Sequence, residues 1–120
     1  MSNKSSLAAE VTFDALIEML GDHPEILLDI VTSFLDDAPN LMQAISEGIE
    51  TKNFELVERN AHTIKSSSRL FGAEQFAAQC QILEDSAKNE QWNEVKTIAS
   101  SLQQNYLLIA QELTHKLKTI

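Results

Sequence analysis

The chain has 120 residues, 43% of them apolar and 22% charged, with three Gly, two Pro and a formal net charge of −9. That length and balance suit one compact domain with a modest core and exclude a disordered tail. The acidic charge excludes the clustered Lys and Arg surface that nucleic acid or an anionic membrane requires.

No apolar run reaches the roughly 18 residues of a membrane helix, and no basic-then-apolar leader is evident. Cys80 is the only cysteine. No internal disulfide is possible, and a cytoplasmic location is expected.

In chain order, residues 1–10 are polar and small, and read as a loose lead-in. Residues 11–120 are expected to form a single helical domain. Thr12 can cap a short helix whose face carries Phe13, Leu16, Ile17 and Leu20, with Gly21 closing it. Asp22, Pro24 and Glu25 form a start signal for a second helix. Its stripe is Leu27, Ile30, Val31, Phe34 and Leu35. Pro39 predicts a kink or interruption, after which Leu41, Met42, Ile45 and Ile49 resume the pattern.

Asn53 is a candidate cap for a third long helix, with apolar positions Phe54, Val57, Ala61, Ile64 and Leu70/Phe71, the small Ser68 on the same stripe, and a stop at Gly72. The fourth helix, from about Ala73 to Lys88, turns Phe76, Ala77, Cys80, Leu83 and Ala87 inward. The last carries Trp92, Val95, Ala99, Leu102, Tyr106, Ile109, Leu113 and Leu117. No segment alternates with the period of a strand. These stripes bury one another most economically in an all-α fold, an antiparallel four-helix bundle with a short additional N-terminal helix.

The segment Arg59–Ala73 stands out by charge. Residues 1–58 hold twelve acids and two bases, a net −10, whereas Arg59, Lys65 and Arg69 follow within eleven residues with no acid among them. At about 100° per residue, His62 lies well round the helix from Ala61 and Ile64. It shares a face with Glu55, Glu58, Arg59, Lys65, Ser66 and Arg69. A solvent-facing imidazole offers a ring nitrogen as a nucleophile. Lys65 and Arg69 are placed to neutralise an anion near it.

Duller readings compete. A lone exposed histidine usually has no role, and His23 and His115 are read that way. Glu58 and His62 have metal-ligand spacing, but no second carboxylate–histidine pair accompanies them, so no metal site is expected. Ser66, Ser67 and Ser68 lack a nucleophile elbow or triad partner. Nothing resembles a Gly-rich nucleotide loop, so kinase activity from ATP is not expected, and neither is any cofactor.

The run His62-Thr63-Ile64-Lys65-Ser66-Ser67-Ser68, followed by Gly72-Ala73, resembles the signature of histidine-containing phosphotransfer (HPt) domains. The resemblance extends to Gly21–Glu25, Phe34–Pro39 and Cys80–Glu84, and covers about residues 13–113. It implies a phosphorelay intermediate in which His62 takes a phosphoryl group from one receiver-domain aspartate and passes it to another. It maps the supporting lysine onto Lys65, and places Glu84 and Lys88 where some members orient the imidazole or contact the phosphoryl group.

Arg59, Ser66, Glu84 and Lys88 are the candidate partner-access and docking residues. Ser66 departs from the family's usual Gly after the lysine. The partners implied are response-regulator receivers, including one that can belong to a hybrid sensor kinase, which would themselves hold the magnesium that transfer needs. The chain is expected to act as a monomer. The alternative function is a helical adaptor that binds receiver or other signalling domains without chemistry.

Overall fold

The computed structural model describes the backbone of residues 3–120 and side chains from Ser6 onward. Six helices follow one another: α1 (Asn3–Glu10), α2 (Asp14–Leu20), α3 (Pro24–Glu50), α4 (Phe54–Leu70), α5 (Glu74–Lys88) and α6 (Trp92–Leu117). No strand occurs among the described residues. At 1.5 Å per residue the 27-residue α3 is about 40 Å long, which matches the longest extent of the molecule, 44 Å. The two longest helices, α3 and the 26-residue α6, therefore run nearly its full length.

Helices α3 to α6 close into a ring, α3 against α4, α4 against α5, α5 against α6, and α6 back against α3. This is the expected four-helix bundle. No described helix is long and apolar enough to cross a membrane. The predicted stripes form the core: Val31, Val57, Ile64, Phe76, Leu83, Val95, Leu102, Ile109 and Leu113 are all fully buried. An aromatic group ties one end together. Phe71 meets Phe34 edge-on at 5.2 Å and Phe13 at 6.3 Å, and Phe34 meets Tyr106 at 6.1 Å.

Three connections share one geometry. Thr51–Asn53, Phe71–Ala73 and Asn89–Gln91 each span three residues, and the central residue of each is left-handed: Lys52 (φ 53°), Gly72 (φ 71°) and Glu90 (φ 55°). In each, the third residue donates its N–H to a carbonyl five residues back, on Gly48, Ser68 or Ser86. The central residue donates to Ile49, Arg69 or Ala87. These are Schellman corners, which satisfy the last helical carbonyls and reverse the chain.

The three receiving residues are small and buried. At Gly48 the reason is steric: a Cβ would come within 2.7 Å of Val57 Cγ2 and 3.2 Å of the Asn53 carbonyl. Of the six positions, sequence reading picked out Gly72 and the small Ser68, and missed the rest.

Several expectations are corrected. The described part of the lead-in, residues 3–10, is helical, residues 1 and 2 lying outside the described residues: α1 lies against α6 and α5, and its Leu7 is 3% exposed. Glu10 holds the start of α5, whose cap position is the non-bonding Ala73; the Gln75 N–H donates to Glu10 Oε2 at 2.9 Å and Gln75 Nε2 to Oε1 at 3.1 Å. The N–H of Thr12 donates to the Phe71 carbonyl at 2.9 Å. This strap runs so close over Gly72 that a Cβ there would lie 2.8 Å from the Glu10 carbonyl.

Thr12 Oγ1 accepts from Asp14 N at 3.1 Å, but Phe13 occupies the cap position of α2. His23, not Asp22, precedes Pro24 at the start of α3. Pro39 leaves α3 as one uninterrupted helix. Its ring is on the exposed face, so the Leu35 carbonyl that loses its donor lies toward water rather than in the core.

Candidate functional site

The site lies in the seam between α4 and α5. Asn53 caps α4 as expected, with Oδ1 accepting from Leu56 N at 3.2 Å. Val57, Ala61, Ile64 and Ser68 then point into the core and fix the rotation of the helix. His62 is thereby left facing outward, its side chain 61% exposed. The antiparallel α5 sets Glu84 opposite His62, and His62 Nδ1 lies 3.0 Å from Glu84 Oε1. A carboxylate oxygen only accepts, so Nδ1 carries the hydrogen and Nε2 carries the lone pair. Nε2 makes no hydrogen bond among the described residues.

Lys65 is not on the exposed face with His62. Its side chain is 8% exposed, with Nζ 2.6 Å from Glu84 Oε2 and donating to Gln81 Oε1 at 2.7 Å. The directed hydrogen bond goes to Gln81; Oε2 has the ammonium charge beside it and no aligned donor. Gln81 in turn donates to Asp85 Oδ1 at 3.0 Å. Lys65 sits at the edge of the apolar stripe, between Ile64 and Ser68, and the acid that draws it inward is nineteen residues away on another helix. Nothing in the acid-free run of α4 signals that acid.

The remaining candidates are dispersed. Lys88 Nζ is 3.7 Å from Glu58 Oε1, so this pair bridges the same seam one helical turn from His62 and Glu84. Arg59 and Ser66 are exposed beside His62, and Arg59 makes no ion pair among the described residues. Arg69 lies about two turns along α4, loosely paired with Glu74 at 3.9 Å with both groups half or more exposed. Ser68 is buried and donates to the Ile64 carbonyl at 2.7 Å.

Cys80 lies in the core as expected, and burial, then the nearby Glu84 charge, push its thiol up to about 12. Burial alone raises the Tyr106 phenol. Neither group is a nucleophile near neutral pH.

Comparison with known proteins gives a consistent picture. No curated protein sequence matches. The chain is similar in structure to histidine-containing phosphotransfer protein B (HptB) from Pseudomonas aeruginosa PAO1, with a TM-score of 0.83 over 92% of this chain and 96% of that one. At 14% identity, that likeness speaks for the fold. The family model of the Hpt domain matches residues 29–118, which include His62, Lys65, Glu84 and Lys88 and span three of the four bundle helices completely. The chain belongs to the Hpt domain family.

Proposed function

We propose that His62 accepts a phosphoryl group at Nε2 from the aspartyl phosphate of a receiver domain and passes it to the aspartate of a second receiver. The Nε2 lone pair attacks phosphorus, the bond from phosphorus to the aspartyl oxygen breaks, and the carboxylate departs with the electron pair. The observation that carries this reading is the ring's anchorage: Nδ1 is held 3.0 Å from Glu84, while the side chain is 61% exposed and Nε2 makes no hydrogen bond among the described residues. An imidazole with one nitrogen fixed and the other open is oriented for attack by a macromolecular partner.

Lys88, 65% exposed and only loosely paired with Glu58, can turn toward the phosphoryl oxygens. Ser66 leaves the approach open on the turn after His62. Arg59 and Arg69 flank the approach on the same helix and steer an acidic partner surface. A groove between α3 and α4, floored by Ile30, Phe34 and Phe71 with Leu70 and Ile26 about 40% exposed at its edge, provides apolar docking area beside that helix. The protein works in this reading as a cytoplasmic, monomeric carrier between receivers, one of which can belong to a hybrid kinase.

The test is transfer from a phosphorylated receiver. The parent should acquire an acid-labile, base-stable label, and His62→Gln should acquire none. Equal labelling of the two defeats the proposal. Tight receiver binding by both with label on neither supports the adaptor reading instead.

A further inference from the structure

Of the cations around His62, Lys65, Lys88 and Arg69 are each engaged. Lys65 is buried against Glu84 and Gln81, Lys88 pairs with Glu58 at 3.7 Å, and Arg69 with Glu74 at 3.9 Å. Arg59 differs. It is exposed and makes no ion pair among the described residues. Acids are not scarce beside it. Glu55 stands one turn earlier, in the order that favours an ion pair within a helix, and Glu58 is adjacent. Glu58 is drawn across the seam by Lys88, and Glu55 is exposed without an ion pair.

The helix phase gives Arg59 a definite side. At about 100° per residue, Lys65 and Glu58 lie about 60° and 40° round from His62 in one direction, and Arg59 about 60° round in the other. Lys65 and Glu58 both reach α5, so Arg59 stands on the flank of His62 away from α5. It is also one turn toward the N-terminus, the direction in which helical side chains lean. His62 Nδ1 is turned to Glu84 on α5, at 3.0 Å. The two nitrogens of an imidazole are directed apart by more than a right angle, so the Nε2 lone pair is aimed away from Glu84.

We infer that Arg59 binds the phosphoryl group carried on Nε2, its guanidinium fork donating to two of the three phosphoryl oxygens. The inference rests on the role proposed above for His62. A guanidinium is planar and always charged, and it meets an oxyanion two oxygens at a time, which an ammonium does not. Lys88, on the other flank, must first release Glu58, whereas Arg59 releases nothing. During transfer the negative charge is spread over the three oxygens that stay with phosphorus. A cation that holds those oxygens lowers the barrier for arrival and departure alike. Arg59 therefore does more than steer a partner: it belongs to the phosphoryl site that this chain supplies.

The experiment charges the full chain with phosphoramidate, a small donor that has no receiver surface to be steered. It reads the rate of labelling, the ³¹P NMR signal of the phosphohistidine and the arginine Nε–H signals. In the parent, one Nε–H signal, absent from Arg59→Gln, should shift on phosphorylation. Arg59→Gln should label roughly tenfold more slowly, with a displaced ³¹P signal. Arg59→Lys, which keeps the charge and loses the fork, should recover only part of the rate. Lys96→Gln makes the same change in net charge at an exposed position on α6, and should label as the parent does. Both substituted residues are exposed, so neither change disturbs the core.

Equal labelling rates and identical ³¹P signals for the parent and Arg59→Gln overturn the inference. So does a loss seen only when a phosphorylated receiver is the donor, which is the behaviour of a residue that steers and nothing more. Equal slowing of Arg59→Gln and Lys96→Gln overturns it too, by assigning the effect to net charge. Labelling of His62→Gln by phosphoramidate as strong as that of the parent would instead sink the assignment of His62 itself.

Discussion

The α4–α5 seam and the α3–α6 seam lie on different sides of one bundle and are built on different terms. Between α3 and α6 the apolar residues Met42, Ile45, Ile49, Ala99 and Leu102 face one another, the polar lining (Ser46, Glu50, Lys96, Ser100 and Gln103) is half-buried or exposed, and no ion pair crosses among the described residues. Between α4 and α5 a lysine and a glutamate are buried, and a second pair bridges the rim. Burial of apolar area stabilises the first seam directly. The second accepts the desolvation of two charges and obtains an imidazole fixed in one tautomer. Stability and chemistry are thus assigned to separate contacts, and each can be perturbed with limited effect on the other.

The sharpest test of that division is Leu102→Ala. Leu102 is fully buried, and truncation should cost about 2–5 kcal/mol in urea unfolding, with the label taken up per folded molecule unchanged. A comparable loss of transfer in the folded fraction would show that the two seams are coupled.

Lys65→Met should come next, at about 3 kcal/mol, because it strands the Glu84 carboxylate in the seam. Replacing both, as K65M/E84L, should recover most of that loss while transfer stays impaired. A double variant no more stable than the single one would mean that Glu84 finds another counter-charge.

Cys80 gives an effect confined to alkali and absent near neutral pH. Its folded value of about 12 lies above the ordinary 9.0. Above pH 9 the unfolded chain therefore gives up the thiol proton while the folded chain keeps it, and stability falls as pH rises from 9 toward 12, by at most about 1.4 kcal/mol per unit. Cys80→Ala should flatten that decline in pH-dependent melts.

The smallest effect belongs to the corners. Lys52→Gly or Glu90→Gly relieves a left-handed non-glycine residue and should add up to about 1 kcal/mol. Neither should alter either seam.

What was legible in the sequence follows from the range of the interactions. The stripe of α4 gave the outward phase of His62, the Asn53 cap and the burial of Ile64 and Ser68, because all are set within one helix. Four long helices and their ring followed from the same periodicity. The spacing within α4 gives His62 its neighbours on that helix but not its nearest charged partner, Glu84, which arrives from α5 and is legible only through the family resemblance. Lys65 was placed at the surface for the same reason. Residues 1–10 predict a loose lead-in because Leu7 and Glu10 have no meaning until α5 and α6 stand beside them. Pro39 predicts a kink that α3 does not need: on the exposed face of a long, well-packed helix, one missing hydrogen bond does not end it.

The three corners carry an implication for how this chain can drift over generations. Gly48 is hemmed in by Val57 and Gly72 by Glu10, so both positions should resist every replacement, whereas Lys52 and Glu90 already occupy the backbone shape that glycine prefers. Drift at the corners should therefore run one way, toward glycine or asparagine at 52 and 90 and never away from it at 48 and 72. A set of diverged relatives would show four corner sites with opposite tolerances, while the helix faces between them vary freely.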